Sequence, residues 1–144
     1  MKQVERLVGS GVTTDLQLHK FSKKLLGSCF IGVFPSDVKA SAIFHNCQKN
    51  GDYYFIINVD GSNEPGSHWM AVAYIKSINK FIIYDSYARK MKKLIPSFVK
   101  TIGYKYIDAN AKSDQTDREE NCGARSISFL VFLKKYGLQE ARMI

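Results

Sequence analysis

The sequence predicts one α+β domain in which an antiparallel or mixed sheet packs against helices. Helical periodicity comes first, aromatic and β-branched runs occupy the middle, and a helical pattern returns near the C-terminus. This order differs from the strict alternation of strands and helices that a doubly wound fold requires. The 144 residues suit one hydrophobic core and no Pro- or Gly-rich linker divides them, so residues 1–144 are predicted to form a single compact domain.

The N-terminal part of the chain is predicted to be helical. Residues 13–26 place apolar side chains on one face, and Gly27 then marks a turn. The short apolar run 29–34 follows. Pro35 lies just ahead of a second predicted helix, for which Ser36 is a suitable N-cap.

Three strands are predicted in the middle of the chain. Residues 53–59, 68–75 and 81–85 are rich in aromatic and β-branched side chains, which favour strands. Residues 60–67 have the composition of a loop, whereas 77–80 form a short turn. The last two strands are therefore expected to pair as an antiparallel hairpin.

Three further elements are predicted towards the C-terminus. A lysine-rich helical segment covers 89–100, and Pro96 either ends that helix or begins another. Residues 103–108 alternate in character and predict a fourth strand. A polar stretch then leads to a last helix that begins at Cys122 and ends near Gly137, because glycine commonly terminates helices.

The charge of the chain is uneven. The net charge is +8, and most of the excess lies in residues 61–112, which carry 9 basic and 3 acidic side chains. The basic segment 89–105 is therefore a candidate contact for DNA, although a solvated helix face is the more ordinary interpretation. No helix-turn-helix, zinc-finger or RNA-recognition pattern accompanies it.

The cysteines and the hydropathy of the sequence indicate the environment in which the protein is expected to work. Cys29, Cys47 and Cys122 are irregularly spaced and form no Cys-x-x-Cys pair, so we expect neither a disulfide framework nor a metal site. An intracellular, reducing environment is the simplest interpretation. No apolar run reaches about 18 residues and the N-terminal stretch is charged, so no membrane span, membrane contact or signal peptide is expected.

Two polar residues stand at the open end of the predicted hairpin, opposite its turn. His68 opens one strand and Asp85 closes the next. In an antiparallel hairpin the start of one strand lies beside the end of the other, so these two side chains can meet. A carboxylate that binds one imidazole nitrogen leaves the other nitrogen to take a proton from a nucleophile.

Cys122 is the candidate nucleophile. A thiol at a helix N-terminus faces the positive end of the helix dipole and unpaired backbone N–H groups, which favour the thiolate. Gly123 removes side-chain bulk where a carbonyl substrate must approach. Gln115, seven residues before the cysteine, can donate to a developing oxyanion together with the backbone N–H of Cys122.

These residues carry a resemblance to a known family. The sequence resembles the adenovirus protease (adenain) family, in the same clan as the SUMO-specific proteases, from about Leu25 to Phe132. The matching segments are Gly27–Phe34, Gly66-Ser67-His68-Trp69-Met70-Ala71, Tyr84-Asp85-Ser86-Tyr87, Gln115 and Asn121-Cys122-Gly123-Ala124. By this resemblance His68 is the general base, Asp85 orients it, Gln115 builds the oxyanion hole and Cys122 attacks.

The resemblance also implies a fold, a substrate class and a setting. The fold would be a rearranged papain-like one, with the cysteine helix packed on the sheet that carries the other catalytic residues. The activity would be cleavage of viral precursor proteins, of the capsid or core, during virion maturation of an adenovirus-like, virophage or Polinton-like element. Cleavage is expected at Gly-containing sites, in the virion or at the site of virus assembly. The candidate substrate-binding residues are Trp69, Gly66, Asn121 and Gly123.

The departures from the family pattern bear on activation. The family often has Glu at the acid position, whereas this chain has Asp85, as the SUMO proteases do. No cysteine lies between Asp85 and Gln115, where the adenoviral type links its activating peptide through a disulfide, so a covalent peptide activator is not expected. The sequence requires no cofactor and no metal, while DNA or a peptide stays open as an activator.

Two other functions stay open at this point. A protease that removes ubiquitin- or SUMO-like proteins is compatible with Asp85 and the His68-Trp69 pair, although the short chain offers little docking surface. An inactive nucleic-acid-binding relic is compatible with the basic middle segment. Each site residue also has an ordinary interpretation taken alone, since Cys122 could be a buried apolar residue and Trp69 a core residue.

Overall fold

The computed structural model describes residues 15–35, 51–58, 69–85, 98, 100, 106–109 and 122–137. It has an α+β architecture in which a mixed five-stranded sheet packs against helices. The elements are α1 (Asp15–Leu26), β1 (Phe30–Pro35), β2 (Tyr53–Asn58), β3 (Trp69–Ile75), β4 (Lys80–Tyr84), β5 (Tyr106–Asp108) and α2 (Cys122–Tyr136). Short 3₁₀ turns at Gly27–Cys29 and Lys76–Ile78 connect α1 to β1 and β3 to β4.

The strands lie in the sheet in the order in which they occur in the chain. The three central strands, β2, β3 and β4, are antiparallel to one another, whereas β1 is parallel to β2 and β5 is parallel to β4. The predicted hairpin of β3 and β4 is confirmed. Its turn ends at Asn79, whose φ of 51° is left-handed, a conformation that asparagine adopts more readily than most residues.

Both faces of the sheet are covered, which explains why the strands are almost wholly apolar. All six residues of β2 are buried, and successive side chains point to opposite faces. Tyr54 and Ile56 belong to the hydrophobic cluster between the sheet and the helices, the helix-side core. Phe55 and Ile57 belong to the cluster on the other face of the sheet, the second core. A sheet covered on both sides does not show the polar–apolar alternation of a half-exposed one.

The helix-side core joins α1 and α2 to the sheet. The ring of Phe129 on α2 stacks on that of Tyr84 at the end of β4, with centroids 4.5 Å apart and planes 9° apart. At the other end of α2, the Nζ of Lys134 donates to the carbonyl of Leu26, the last residue of α1. The C-terminal ends of the two helices are therefore tied together.

An aromatic cluster covers the opposite face. The ring of Phe98 makes edge contacts with Phe55 at 5.8 Å and with Phe81 at 5.6 Å between centroids. Phe98 and Lys100 have helical backbone, in agreement with the helix predicted over 89–100 as far as these two residues show. Phe98 therefore contributes to the second core.

The structure agrees with most predicted elements within the described residues. The expected turn at Gly27 and helix stop at Gly137 are present, with φ of 73° and 90°, and the N–H of Gly137 donates to the carbonyl of Leu133. Most of the apolar run 29–34 forms the edge strand β1, which extends to Pro35 and for which the sequence predicted no element. The helix predicted after Pro35 lies outside the described residues.

None of the described helices is long and apolar enough to cross a bilayer.

A buried tyrosine hydroxyl predicts that the protein loses folding stability at alkaline pH. Tyr54 is 3% exposed, and burial raises its pKa to about 12, with additional contributions from the charges of Asp52 and Cys29. An unfolded tyrosine ionises near its ordinary pKa of 10.0, so the folded state holds this proton more tightly. The resulting stability is fully present below about pH 10 and is lost as the pH rises towards 12.

Replacing Tyr54 by phenylalanine should remove this part of the alkaline destabilisation. Between about pH 10 and 12 we expect the wild type to lose about 1–3 kcal/mol more unfolding free energy than the Tyr54→Phe variant. Urea unfolding at a series of pH values measures the difference. Tyr136→Phe, at a tyrosine that is 62% exposed, is the matched control and should follow the wild type. Parallel curves for wild type and Tyr54→Phe would contradict the assignment.

Candidate functional site

Three elements meet at one edge of the sheet. Ala71 near the start of β3 pairs with Tyr84 at the end of β4, so Asp85 follows β4 at the edge where β3 begins with Trp69. The third element is α2, whose first residue is Cys122. The sequence prediction that Asp85 lies at the same end of the hairpin as the start of β3 is confirmed by this register.

A buried hydrogen bond ties α2 to this edge. The Oγ of Ser126 donates to the backbone carbonyl of Trp69 at 3.1 Å. Ser126 is four residues after Cys122, which is about one helical turn or 5.4 Å along the axis. The N-terminal turn of α2 is thus held beside the first residue of β3.

Asp85 is an unusual residue for an interior. Its side chain is 0% exposed, and a carboxylate in such a position is stable only when donors or a positive charge compensate it. The chain places this acid directly after an apolar strand, where the sheet stops and other segments can contribute donors. Its burial at the end of β4 is compatible with a role in orienting another polar group.

The first turn of α2 has a favourable electrostatic character for an anion. It contains no acidic residue, so no carboxylate within that turn offsets the positive end of the helix dipole. Gly123, predicted to admit a substrate carbonyl, is the second residue of the helix. The backbone at the start of α2 therefore favours a negative charge near it.

Several predicted site residues lie outside the described part of the chain. They are His68 and Gln115 of the catalytic set and Gly66 and Asn121 of the substrate-binding set. For Cys122 the structure gives the place in the helix. Of the basic segment 89–105, it describes Phe98 and Lys100, the latter with an exposed side chain.

Trp69 has a definite position in the fold. Its side chain is 1% exposed and belongs to the helix-side core. The backbone carbonyl of Trp69 accepts the hydrogen bond from Ser126, so this residue also contacts α2. Direct contact between Trp69 and a substrate stays a prediction.

Sequence reasoning missed two polar residues of this edge. The sequence predicts Ser126 only as part of an apolar helix and Asn58 only as the end of the aromatic strand β2, with no role at the site for either residue. Asn58 is 3% exposed and pairs in register with Trp69. The signal for Asn58 was a lone amide at the end of an otherwise apolar strand, whereas no local signal distinguishes Ser126 from Ser128.

No metal centre is found among the residues that the structure describes. Within them no three His, Cys, Asp or Glu side chains come close enough to hold an ion.

Comparisons with known proteins leave the family open. Neither the protein-family models nor the curated proteins match this sequence. The candidate site therefore depends on its own geometry and on the residue types that it brings together.

Proposed function

We propose that this protein is a cysteine endopeptidase in which Cys122 is the nucleophile and His68 the general base. The observation that carries the proposal is the convergence at one sheet edge of the N-terminus of α2, the first residue of β3 and the buried Asp85. Residue 68 is covalently bonded to Trp69, so the chain connects the imidazole to the same edge. The proposed fold is a rearranged papain-like one.

The chemistry follows from the assigned roles. His68 takes the proton of the Cys122 thiol, and the thiolate attacks the carbonyl carbon of the scissile bond, forming a C–S bond. The oxyanion accepts hydrogen bonds from the Gln115 amide and from the backbone N–H of Cys122. The C–N bond then breaks, and the imidazolium gives its proton to the leaving amine.

Hydrolysis of the thioester completes the cycle. Water attacks the thioester carbon while His68 takes one of its protons, and the carboxylic product leaves as the C–S bond breaks. The thiol of Cys122 regains a proton from the imidazolium. Asp85 holds the imidazole in the orientation that both half-reactions require, as a buried carboxylate paired with histidine does in other proteases.

The proposed substrates are precursor proteins of a viral capsid or core, cleaved at Gly-containing sites during maturation. The resemblance to adenovirus proteases supports this choice, and the absence of a side chain at Gly123 is compatible with close approach of a substrate backbone. The proposed place of action is the virion or the assembly site in the reducing interior of a host cell. DNA or a peptide remains the proposed activator, with no metal involved.

A peptide library that varies the residue before the scissile bond tests this specificity. We expect cleavage after glycine and loss of cleavage when a bulky residue takes its place, because the resemblance to adenovirus proteases implies a narrow channel that admits only glycine there. Mass spectrometry of the products identifies the bond cleaved. Equal cleavage after glycine and after large apolar residues would contradict the proposed preference.

Deconjugation of ubiquitin-like proteins is the second candidate function. The aspartate at position 85, rather than a glutamate, is shared with the SUMO proteases and favours it. Ubiquitin and SUMO vinyl-sulfone probes distinguish the two candidates, since a deconjugase becomes covalently labelled on Cys122. Labelling by such a probe together with inert library peptides would replace the first candidate by the second.

A further inference from the structure

A hydrogen bond from Ser126 joins α2 to β3 beside the candidate site. The Ser126 side chain and Trp69 are both buried, with 0% and 1% exposure, and their bond joins residues that are far apart in the chain. Buried hydrogen bonds fix relative position more strictly than apolar packing does, because their energy falls steeply when distance or angle changes. This bond therefore fixes the position of α2 along its own axis relative to the start of β3.

Few residues separate this hydrogen bond from the proposed reacting residues along the chain. Ser126 lies about one helical turn after Cys122 on α2, and Trp69 directly follows His68 in the chain. A slide or rotation of α2 would move Cys122 by nearly the same amount. The stack of Phe129 on Tyr84 and the bond from Lys134 to Leu26 lie farther along the helix, so they constrain its first turn less.

The neighbouring Ser128 shows that burial alone does not create such a contact. Its hydroxyl lies on the same helix, is also 0% exposed, and has no hydrogen-bond partner within the described structure. Loss of this hydroxyl removes no hydrogen bond found there. Ser128 is therefore a matched control for Ser126, with the same residue type, the same helix and the same burial.

We propose that Ser126 is a positioning residue that holds the first turn of α2, which carries Cys122, in place relative to β3, the strand that directly follows His68 in the chain. This role depends on the proposed protease function. Without the hydroxyl of Ser126 the first turn of α2 can shift relative to β3, and the thiol and imidazole then meet less often in the geometry that allows proton transfer. Displacements of the order of 1 Å cost about 100-fold when they affect reacting groups.

The test compares Ser126→Ala with Ser128→Ala. For each purified variant, the alkylation of Cys122 by iodoacetamide is followed against pH by peptide mass spectrometry, and kcat and KM are measured on a cleaved peptide. We expect Ser126→Ala to lower alkylation near pH 6 and kcat by about tenfold while KM stays unchanged. Ser128→Ala should retain the wild-type pH profile and kcat.

A second pair of variants guards against a general loss of stability. Ser126→Thr and Ser126→Val have nearly the same shape and differ in the hydroxyl, so threonine should restore the wild-type pH profile and valine should not. Urea unfolding of both variants shows whether they are comparably folded.

The outcomes separate this proposal from the proposed function. An activated Cys122 in the wild type, with identical profiles for Ser126→Ala and Ser128→Ala or for the Thr and Val variants, would overturn the positioning role alone. A wild-type Cys122 that reacts no faster than free cysteine would overturn both. An activated wild type with the loss confined to Ser126→Ala and Ser126→Val supports both.

Discussion

Replacing Cys122 by alanine is expected to abolish peptide cleavage. The variant removes the proposed nucleophile, which is the first residue of α2, and alanine has no group that could form the thioester. Loss of a protease nucleophile lowers kcat by about 10⁴-fold or more. The measurement is the initial rate on the best library peptide, with variant and wild type at equal concentration.

The control for this variant is the second described cysteine. Cys29 is half-buried in the 3₁₀ turn between α1 and β1, so Cys29→Ala removes a thiol of similar size away from the candidate nucleophile. It should retain most of the wild-type rate. Full activity of Cys122→Ala would exclude Cys122 as the nucleophile, and loss of activity only in Cys29→Ala would move the site elsewhere.

Replacing Phe129 by alanine is expected to destabilise the fold by about 3–5 kcal/mol. Its ring is 0% exposed and stacks on Tyr84, the last residue of β4, immediately before Asp85. The variant would leave a cavity at the contact that packs α2 on the sheet. Urea unfolding measures the effect as a lower midpoint at a similar slope.

Tyr136→Ala is the control for the Phe129 variant. This aromatic residue ends the same helix but is 62% exposed, so its removal should change the unfolding free energy by less than about 1 kcal/mol. Similar losses in the two variants would contradict the view that the stack on Tyr84 anchors the helix. Since that anchor lies next to Asp85, Phe129→Ala should also impair cleavage at temperatures where the variant remains folded.

The local pattern of the sequence was sufficient for the hairpin but not for the edge strands. The hairpin of β3 and β4 joins residues that are close in the chain, so a short turn between two aromatic runs predicts both the elements and their pairing. The strand β1 is parallel to β2, and its partner lies beyond a long intervening segment. A bulge at Gly32, with φ of 147°, further interrupts its pattern, so the run 29–34 gave no clear strand signal.

At the candidate site, too, the sequence predicts the contacts between neighbouring strands but not those that depend on tertiary packing. Asp85 and the start of β3 could be placed together because hairpin geometry determines which strand ends meet. Helical periodicity predicted the helix α2, which covers Cys122–Tyr136, whereas the role of Cys122 as the nucleophile stays a prediction. The bond from Ser126 to Trp69 could not be predicted, since it depends on the rotation of a helix relative to a sheet, which tertiary packing decides.

The most direct test of the central claim is the reactivity of Cys122 in the wild type and in His68→Ala. Iodoacetamide is added at about pH 6, where an ordinary thiol is almost wholly protonated and reacts slowly. Mass spectrometry follows Cys29, Cys47 and Cys122 separately in the same sample. We predict that Cys122 is alkylated well before the other two in the wild type and loses this advantage in His68→Ala. A Cys122 that reacts no faster than free cysteine, or equally fast without His68, would contradict the assignment of this pair.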